Sequence, residues 1–495
     1  MEATTVTTPA PKKRRWPKVV GFTVLGLIIV LALVLFGANM FAKRSLPQIS
    51  GEIKLDGLID TVTVTRDEQG VPHIEAKNEH DLYMAQGYVT AQDRMFQMDL
   101  SRRQASGELS EVIGEKLVEQ DKFFRTFGLR RAAEKSLPDY SDEMKEVLQW
   151  YADGVNSFRQ EAISNKKLPV EFTMLGYEPK EWTILDSVTI AKYMAYDLGG
   201  HWEGQAFRQY MLSNFPEEKA LDIFPSYPKD GPTNIPKGEI DYEKSFVHAV
   251  IPPEFNGSNN WVISGEKTES GAPLLANDPH LSLAAPAIWY QTTLQAPDLK
   301  VSGVIFAGIP GIILGHNEDI AWGITNVGPD VQDLYIEKRN PNNSKQFLHN
   351  GKWVDAEVIN EKISVKGQEA INHEVTISRH GPVISEFAHQ NDGETALALK
   401  WTALESTQDL EAIIGMNKAK SWKEFDQAVE VFKAPASNFV FASKDGTIAY
   451  KAVGNIPIRK KGDSTVPVPG WNDDYEWTGY IPYIVRIQSR LVEVK

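Results

Sequence analysis

The stretch EFNGSNNWVISGEK, residues 254–267, decides how this chain is read. Taken alone it is a tight turn and a strand. Asn256-Gly257 supplies the positive φ angles of a hairpin loop, and Trp261, Val262 and Ile263 continue as β-structure. Asn256-Gly257-Ser258 also matches a glycosylation acceptor, a triplet too short to carry weight. Within this window Ser258 is a turn residue. The surrounding chain decides whether it is more.

Working outward, residues 225–257 form a Pro-, Gly- and charge-rich spacer (SYPKDGPTNIPKGEIDYEK within it) that reads as exposed and open to proteolysis. After Ser258 the chain turns β-rich: WVISG, APLLAND, WYQTTLQA, VSGVIFAG and ILGHN are short runs broken by Gly, Pro and Asn. Asn350-Gly351 is a second hairpin signal, and helix returns near 408–434. Before the spacer, Val62–Thr65 reads as a strand and DEQGVPHIEA as turn plus strand. An amphipathic helix starts at Glu79, with Leu82, Ala85, Val89, Phe96 and Leu100 along one face. Helical patterns run to about residue 215. The body is thus helical first and sheet-rich second, without internal repeats.

The 495 residues imply two or three domains or one large composite. There is no cysteine, which removes disulfides, thiolate metal sites and Cys nucleophiles. Lys12, Lys13, Arg14, Arg15 and Lys18 precede an uncharged run from Val19 to Ala42, long enough to cross a bilayer. The basic flank predicts a cytoplasmic tail (1–18), an uncleaved anchor (19–42) and a body outside the cell. A cleaved signal peptide with a secreted body is the second reading, disfavoured by the length of the run and the lack of an A-x-A site. With +4 confined to the first 18 residues, the rest of the chain carries −18. That balance excludes nucleic acid as a partner, because binding it needs a basic footprint.

Chemistry is scarce in the short motifs. The ten histidines form no HExxH pattern, no phosphate-binding glycine loop is present, and GxSxG is absent. GIPGIILG (308–315) reads as a tight loop between strands. Asp330 and Asp333 in NVGPDVQDLY suit a hard cation such as Ca²⁺ or, more simply, a solvated acidic turn.

Longer stretches carry a resemblance. GVPHIEAKNEHDLYMAQGYVTAQDRMFQMDLSRRQASGELSEVIG, SNNWVISGEKTESGAPLLANDPHL, PGIILGHNEDIAWGITNVGPDVQDLY, SRHGPVI and VPVPGWNDDYEWTGYIP occur in order between about 60 and 483. Together they resemble the penicillin acylase family of N-terminal nucleophile hydrolases. The resemblance implies an α+β fold, an αββα sandwich of two stacked antiparallel sheets with a helical first segment. It also implies a precursor that cuts itself between Gly257 and Ser258 into subunits, 61–224 and 258–483, after a linker at 43–60. Ser258 would then attack the amide of a small N-acyl compound, with its own freed α-amino group as the base. That group titrates near pH 7.7–8.0, about where a general base is useful.

Other roles follow from the resemblance residue by residue. His280 would sit beside the nucleophile, and the Asn326 backbone N–H would donate to the oxyanion. Leu281, Leu314 and Ile324 would line an aliphatic acyl pocket, with Tyr193 or Met194. Glu203, Asp330, the Gln332 carbonyl and Asp333 would hold a structural Ca²⁺, with no organic cofactor. The family pattern continues past Tyr483, whereas IVRIQSRLVEVK (484–495) matches none of it. The expectation is therefore a truncated chain, lacking the final part of the sheet and a second oxyanion donor. The alternatives are a pseudoenzyme that binds ligands at the cell surface and, more remotely, a Ca²⁺-dependent interaction module.

Overall fold

The computed structural model describes residues 16–199, 202–216, 219, 257–281, 283–387, 393–462, 465–483 and 488–489. The basic tail through residue 15, the spacer through 256 and all of 484–495 except Gln488 and Ser489 lie outside the described residues. By packing, the chain divides into two units, 1–52 with 161–178 and 53–160 with 179–495.

The first unit contains helix α1 (Trp16–Arg44). Its Val20–Arg44 portion has a mean hydropathy of 2.8 and no buried residues, so it is long and apolar enough to cross a membrane.

In the second unit, strands β1 (Thr63–Arg66) and β2 (Pro72–Glu75) precede helix α2 (Glu79–Ser106). Asn78 caps α2 by accepting from the Asp81 N–H at 2.8 Å, and left-handed Gly107 (φ 64°) ends it. The apolar spacing predicts one buried face, but residues 81–92 are buried on every side. The cause is tertiary. The helix packs on strands β2 and β5 of the sheet, on helix α4 (Ile184–Gly199) and on the 142–160 part of helix α3 (Asp142–Ser164). At the α2–α3 crossing, a Cβ on Gly87 would lie 2.0 Å from the Tyr151 carbonyl oxygen, and one on Gly154 would lie 1.8 Å from that of Met84. Only two glycines permit that approach.

Helix α5 (Trp202–Asn214) is the last described helix before hairpin β3 (Gly257–Ile263) and β4 (Leu274–His280). Then come β5 (Trp289–Ala296), β6 (Leu299–Phe306), β7 (Leu314–Asn317) and β8 (Ile320–Asn326). Strands β9 (Gln332–Asn340), β10 (Asn343–His349), β11 (Lys352–Asp355), β12 (Glu357–Ile363), β13 (Ile371–Ser378), β14 (Gly381–Pro382) and β15 (Thr395–Trp401) follow. Asn350 (φ 48°) and Gly351 (φ 80°) form the turn between β10 and β11, as Asn-Gly predicts. Helices α6 (Asp409–Lys418) and α7 (Trp422–Val429) lead to β16 (Ser437–Ser443) and β17 (Ile448–Val453). The last strands are β18 (Pro457–Arg459), β19 (Val468–Pro469), β20 (Trp477–Tyr480) and β21 (Gln488–Ser489).

Nine strands form one sheet in the order β1-β2-β5-β6-β7-β8-β16-β17-β21, antiparallel except for β2 beside β5. Strand alternation gives its two faces different partners. Trp322, Phe439 and Phe441 pack against Phe425 of α7, with ring centroids 5.2–6.3 Å apart. Gly323 and Val440 pair across the ladder and face the other way, toward the β3–β4 hairpin. Two broad stacked sheets were expected. Among the described residues, the layer over β8 and β16 is this hairpin, while β9–β15, with β19 beside β9, form separate sheets.

Candidate active site

Ser258 lies in β3 opposite Pro279, and Gly257 lies opposite His280. Gly257 is a strand residue in the ladder with β4, and the Asn256 half of the hairpin-turn reading lies outside the described residues. The Ser258 hydroxyl donates to the Gly257 carbonyl oxygen at 2.6 Å. It thus lies against the peptide group it would have to attack, while its own nitrogen is still a peptide nitrogen and no base.

Residues opposite one another in a ladder share a face. Ser258, Asn260 and Val262 form the inner, half-buried row. Gly257, Asn259, Trp261 and Ile263 form the outer row, with Trp261 53% exposed. His280 belongs to the outer row. It pairs with Asp278 at 2.9 Å in the open, so its side chain points away from the Ser258 face. Only its backbone lies opposite the Gly257–Ser258 peptide. The spacing in NDPHL could not reveal this before the register was known.

Asn326 ends β8, exposed and paired across the ladder with Ser437. Its side chain donates to the Leu198 carbonyl at the end of α4 and accepts from the Gly328 N–H at 2.9 Å. Its carbonyl accepts from Asn438, which Tyr450 holds at 2.7 Å. The three expected pocket residues lie on different elements. Leu314 is buried in β7, Ile324 is half-buried in β8, and Leu281 is half-buried just past β4. Tyr193 is half-buried beside Phe124 and Tyr196, which Phe123 joins in an aromatic cluster that composition alone did not reveal.

One residue escaped the sequence reading. The side-chain amide of Asn277, in β4, accepts from the Ile324 N–H at 3.0 Å and donates to the Ile324 carbonyl at 3.2 Å and the Asn259 carbonyl at 3.1 Å. The available signal was an Asn in the middle of the apolar run LLANDPH together with a glycine at 323.

The acidic loop is held by partners far away in sequence. Asp333 Oδ2 accepts from Arg459 Nε at 2.7 Å and from the Trp477 indole, while the Asp330 carbonyl accepts from Arg459 Nη2 at 2.7 Å. The Gln332 carbonyl accepts from Gln205 at 2.7 Å, docking α5 onto β9 and bringing the helix that carries Glu203 to this strand. No three His, Asp or Glu side chains among the described residues converge as a metal cage. Asp333 Oδ1 is buried without a hydrogen-bond donor.

A second buried cluster stands nearby. His380 has both ring nitrogens on carboxylates, Glu337 at 2.7 Å and Glu476 at 2.9 Å, and stacks 3.6 Å over Tyr335. Desolvation pushes Glu476 up. The hydrogen bond and charge of His380, with Arg379 and Lys400, outweigh it and hold the carboxyl at about 2, against an ordinary 4.5. A carboxyl whose folded pKa is depressed stabilises the fold above the ordinary value and loses that contribution as pH falls from 4.5 through 2. Glu476→Gln is expected to flatten the acid limb of the stability curve in that window, read as the melting temperature against pH.

The model of the penicillin amidase family matches residues 61–486. The chain belongs to that family. It is 31% identical over 470 residues to the acyl-homoserine lactone acylase QuiP of Pseudomonas aeruginosa, covering 89% of this chain and 55% of that one. It is 28% identical to penicillin acylase 2 proenzyme of a Pseudomonas species over 89% of this chain and 58% of that one. A solved thermostable penicillin G acylase from Alcaligenes faecalis aligns at 28% identity and a TM-score of 0.42, over 46% of this chain and 41% of that one. The chain spans little more than half the length of the curated relatives it matches.

Proposed function

We propose that this chain is the nucleophile-bearing part of an N-terminal nucleophile hydrolase of αββα type that cleaves the amide bond of small N-acyl compounds. The observation that carries the reading is the Ser258 hydroxyl bonded to the Gly257 carbonyl at the head of β3, in a chain of this family. Maturation begins when Ser258 Oγ adds to the Gly257 carbonyl carbon. The C–N bond breaks, the Ser258 nitrogen takes the proton, and an ester links the two residues. Water then hydrolyses the ester, leaving Gly257 with a carboxylate and Ser258 with a free α-amine.

The mature site works by the same chemistry. Ser258 Oγ attacks the substrate amide while its α-amine, acting through a water, accepts the hydroxyl proton. The backbone N–H of Asn326 donates to the oxyanion. The proton passes to the leaving amine, and water hydrolyses the acyl-enzyme. Leu281, Leu314 and Ile324 offer aliphatic surface to the acyl chain. The relatives' names divide between acyl-homoserine lactones and penicillins, and both are N-acyl amides. The α1 helix anchors the chain, with the body on the outer side of the membrane.

The test is intact mass and N-terminal sequencing of the full chain in detergent, followed by a panel of N-acyl amides of increasing chain length. A fragment starting Ser258-Asn259-Asn260 and amide hydrolysis are expected. An uncut, inactive chain would turn the reading to a ligand-binding protein.

Ca²⁺ belongs to the same proposal. A carboxylate oxygen buried without a donor, as at Asp333 Oδ1, is satisfied by a cation. Asp330, the Gln332 carbonyl, Asp333 and Glu203 would hold it, fixing the loop after β8. Millimolar Ca²⁺ is expected to raise the melting temperature of the wild type and to leave Asp333→Asn unmoved. A wild type indifferent to Ca²⁺ would leave Arg459 as the loop's cation.

A further inference from the structure

We propose that Asn277 is a positioning residue that ties the strand carrying the nucleophile to the strand ending at the oxyanion donor. The proposal rests on the reading of Ser258 and Asn326 given above.

The geometry begins where a ladder stops. Strand β7 pairs with β8 only at His316–Ala321 and Gly315–Trp322. Beyond Trp322 the edge of β8 is left without β7, yet Ile324 keeps a donor and an acceptor partner on one residue. The Asn277 amide supplies both, at 3.0 and 3.2 Å. A primary amide has the same donor and acceptor pair as a peptide group, so Asn277 takes the place of a missing strand residue. Its second amide hydrogen goes to the Asn259 carbonyl at 3.1 Å, one residue after Ser258.

A single side chain therefore joins the neighbour of the nucleophile to a residue two before Asn326. Gly323 makes this possible. A Cβ there would sit 2.8 Å from the Cβ of Asn277 and 3.1 Å from its Oδ1, although Gly323 has no positive φ. The glycine is required for room rather than for backbone conformation. Among the described residues, the hairpin also reaches the sheet through the longer, 3.5 Å contact of Asn260 with the Asn438 carbonyl of β16. Without the Asn277 amide, the Ser258 strand would be held over the sheet by packing and that longer contact, and a displacement of about 1 Å can cost a reaction a hundredfold.

The experiment compares wild type, Asn277→Leu, Asn277→Asp and the packing control Leu275→Ala, all as full chains in detergent. Leu275 pairs with Val262 in the same hairpin and does not take part in the amide bridge. Two readouts are taken: hydrogen exchange of peptides covering 257–263 and 320–326, and the rate of cutting at Gly257–Ser258. Asn277→Leu is expected to speed exchange in both peptides at least tenfold and to slow cutting at least tenfold. Asn277→Asp, which keeps the bond from Ile324 N–H, should fall between it and the wild type. Leu275→Ala should lower the melting temperature with less effect on cutting.

Wild-type exchange in both peptides of Asn277→Leu would overturn the proposal. So would cutting no slower than in a Leu275→Ala chain of equal melting temperature. If Asn277→Leu does not fold, Asn277→Asp decides by the same criteria. A wild type that never cuts would sink the reading of Ser258 instead. Unchanged exchange would still count against the bridge, and faster exchange would still support it.

Discussion

Ser258→Ala is expected to leave the chain in one piece, with hydrolysis of N-acyl amides lowered by at least about 10⁴-fold, because removing a nucleophile alone costs about as much as removing its whole catalytic unit. Two losses coincide in this variant. The hydroxyl that donates to the Gly257 carbonyl at 2.6 Å is gone, so the first bond of maturation cannot form. Without that cut the Ser258 nitrogen stays in a peptide bond, and the base is never made. The fold should barely notice, since Ser258 is half-buried and, among the described residues, its hydroxyl bonds to the neighbouring Gly257 carbonyl. The expected pattern is thus an unchanged melting temperature, one full-length mass and no turnover. Ser258→Thr separates the two losses, because it keeps a hydroxyl at the same place with an extra methyl. It is expected to cut slowly where Ala does not. A Ser258→Ala chain cut at 257–258 would place the responsible nucleophile elsewhere, in this molecule or in a contaminating protease.

Local chemistry was legible in the sequence, and distant pairing was not. The start of helix α2 at Glu79, the Asn350-Gly351 turn and the strand through Trp261, Val262 and Ile263 all follow from residues within a few positions of one another. The matched family stretches pointed to Ser258 as the proposed nucleophile. Strand register was hidden, and it decides that His280 faces away from Ser258. Also hidden was the Arg459 guanidinium on Asp333, 126 residues along the chain, which neutralises one carboxylate oxygen of the expected metal loop. The periodicity of α2 correctly predicted a helix but understated its burial. Its polar residues read as a solvent face, whereas many of them are charges paired inside the protein.

Asp99 shows what that misreading hides. Its side chain, 2% exposed, accepts from Arg102 Nη2 at 2.6 Å and from Arg103 Nε at 2.8 Å, so one carboxylate balances two buried guanidiniums. Arg102 reaches on to Asp186 of α4 and to the carbonyls of Lys180 and Glu181, and Arg103 reaches Glu111. Asp99→Asn keeps the shape and removes the charge, leaving two buried cations with too few counter-ions. Breaking a buried ion pair in this way costs about 3–5 kcal/mol. The value should fall toward the lower end, because Asp186 and Glu111 remain. Against a typical total of about 5–15 kcal/mol, that loss takes much of the stability of the fold. The urea midpoint of Asp99→Asn should fall steeply, with the slope of the transition unchanged. Asp56→Asn is the contrast. Its partner Lys54 lies 3.2 Å away with both side chains about nine-tenths exposed, and its midpoint should not move. Equal midpoints for the two variants would mean that the arginines of α2 find water or other acceptors on losing Asp99, and that this network does not hold α2 to α4.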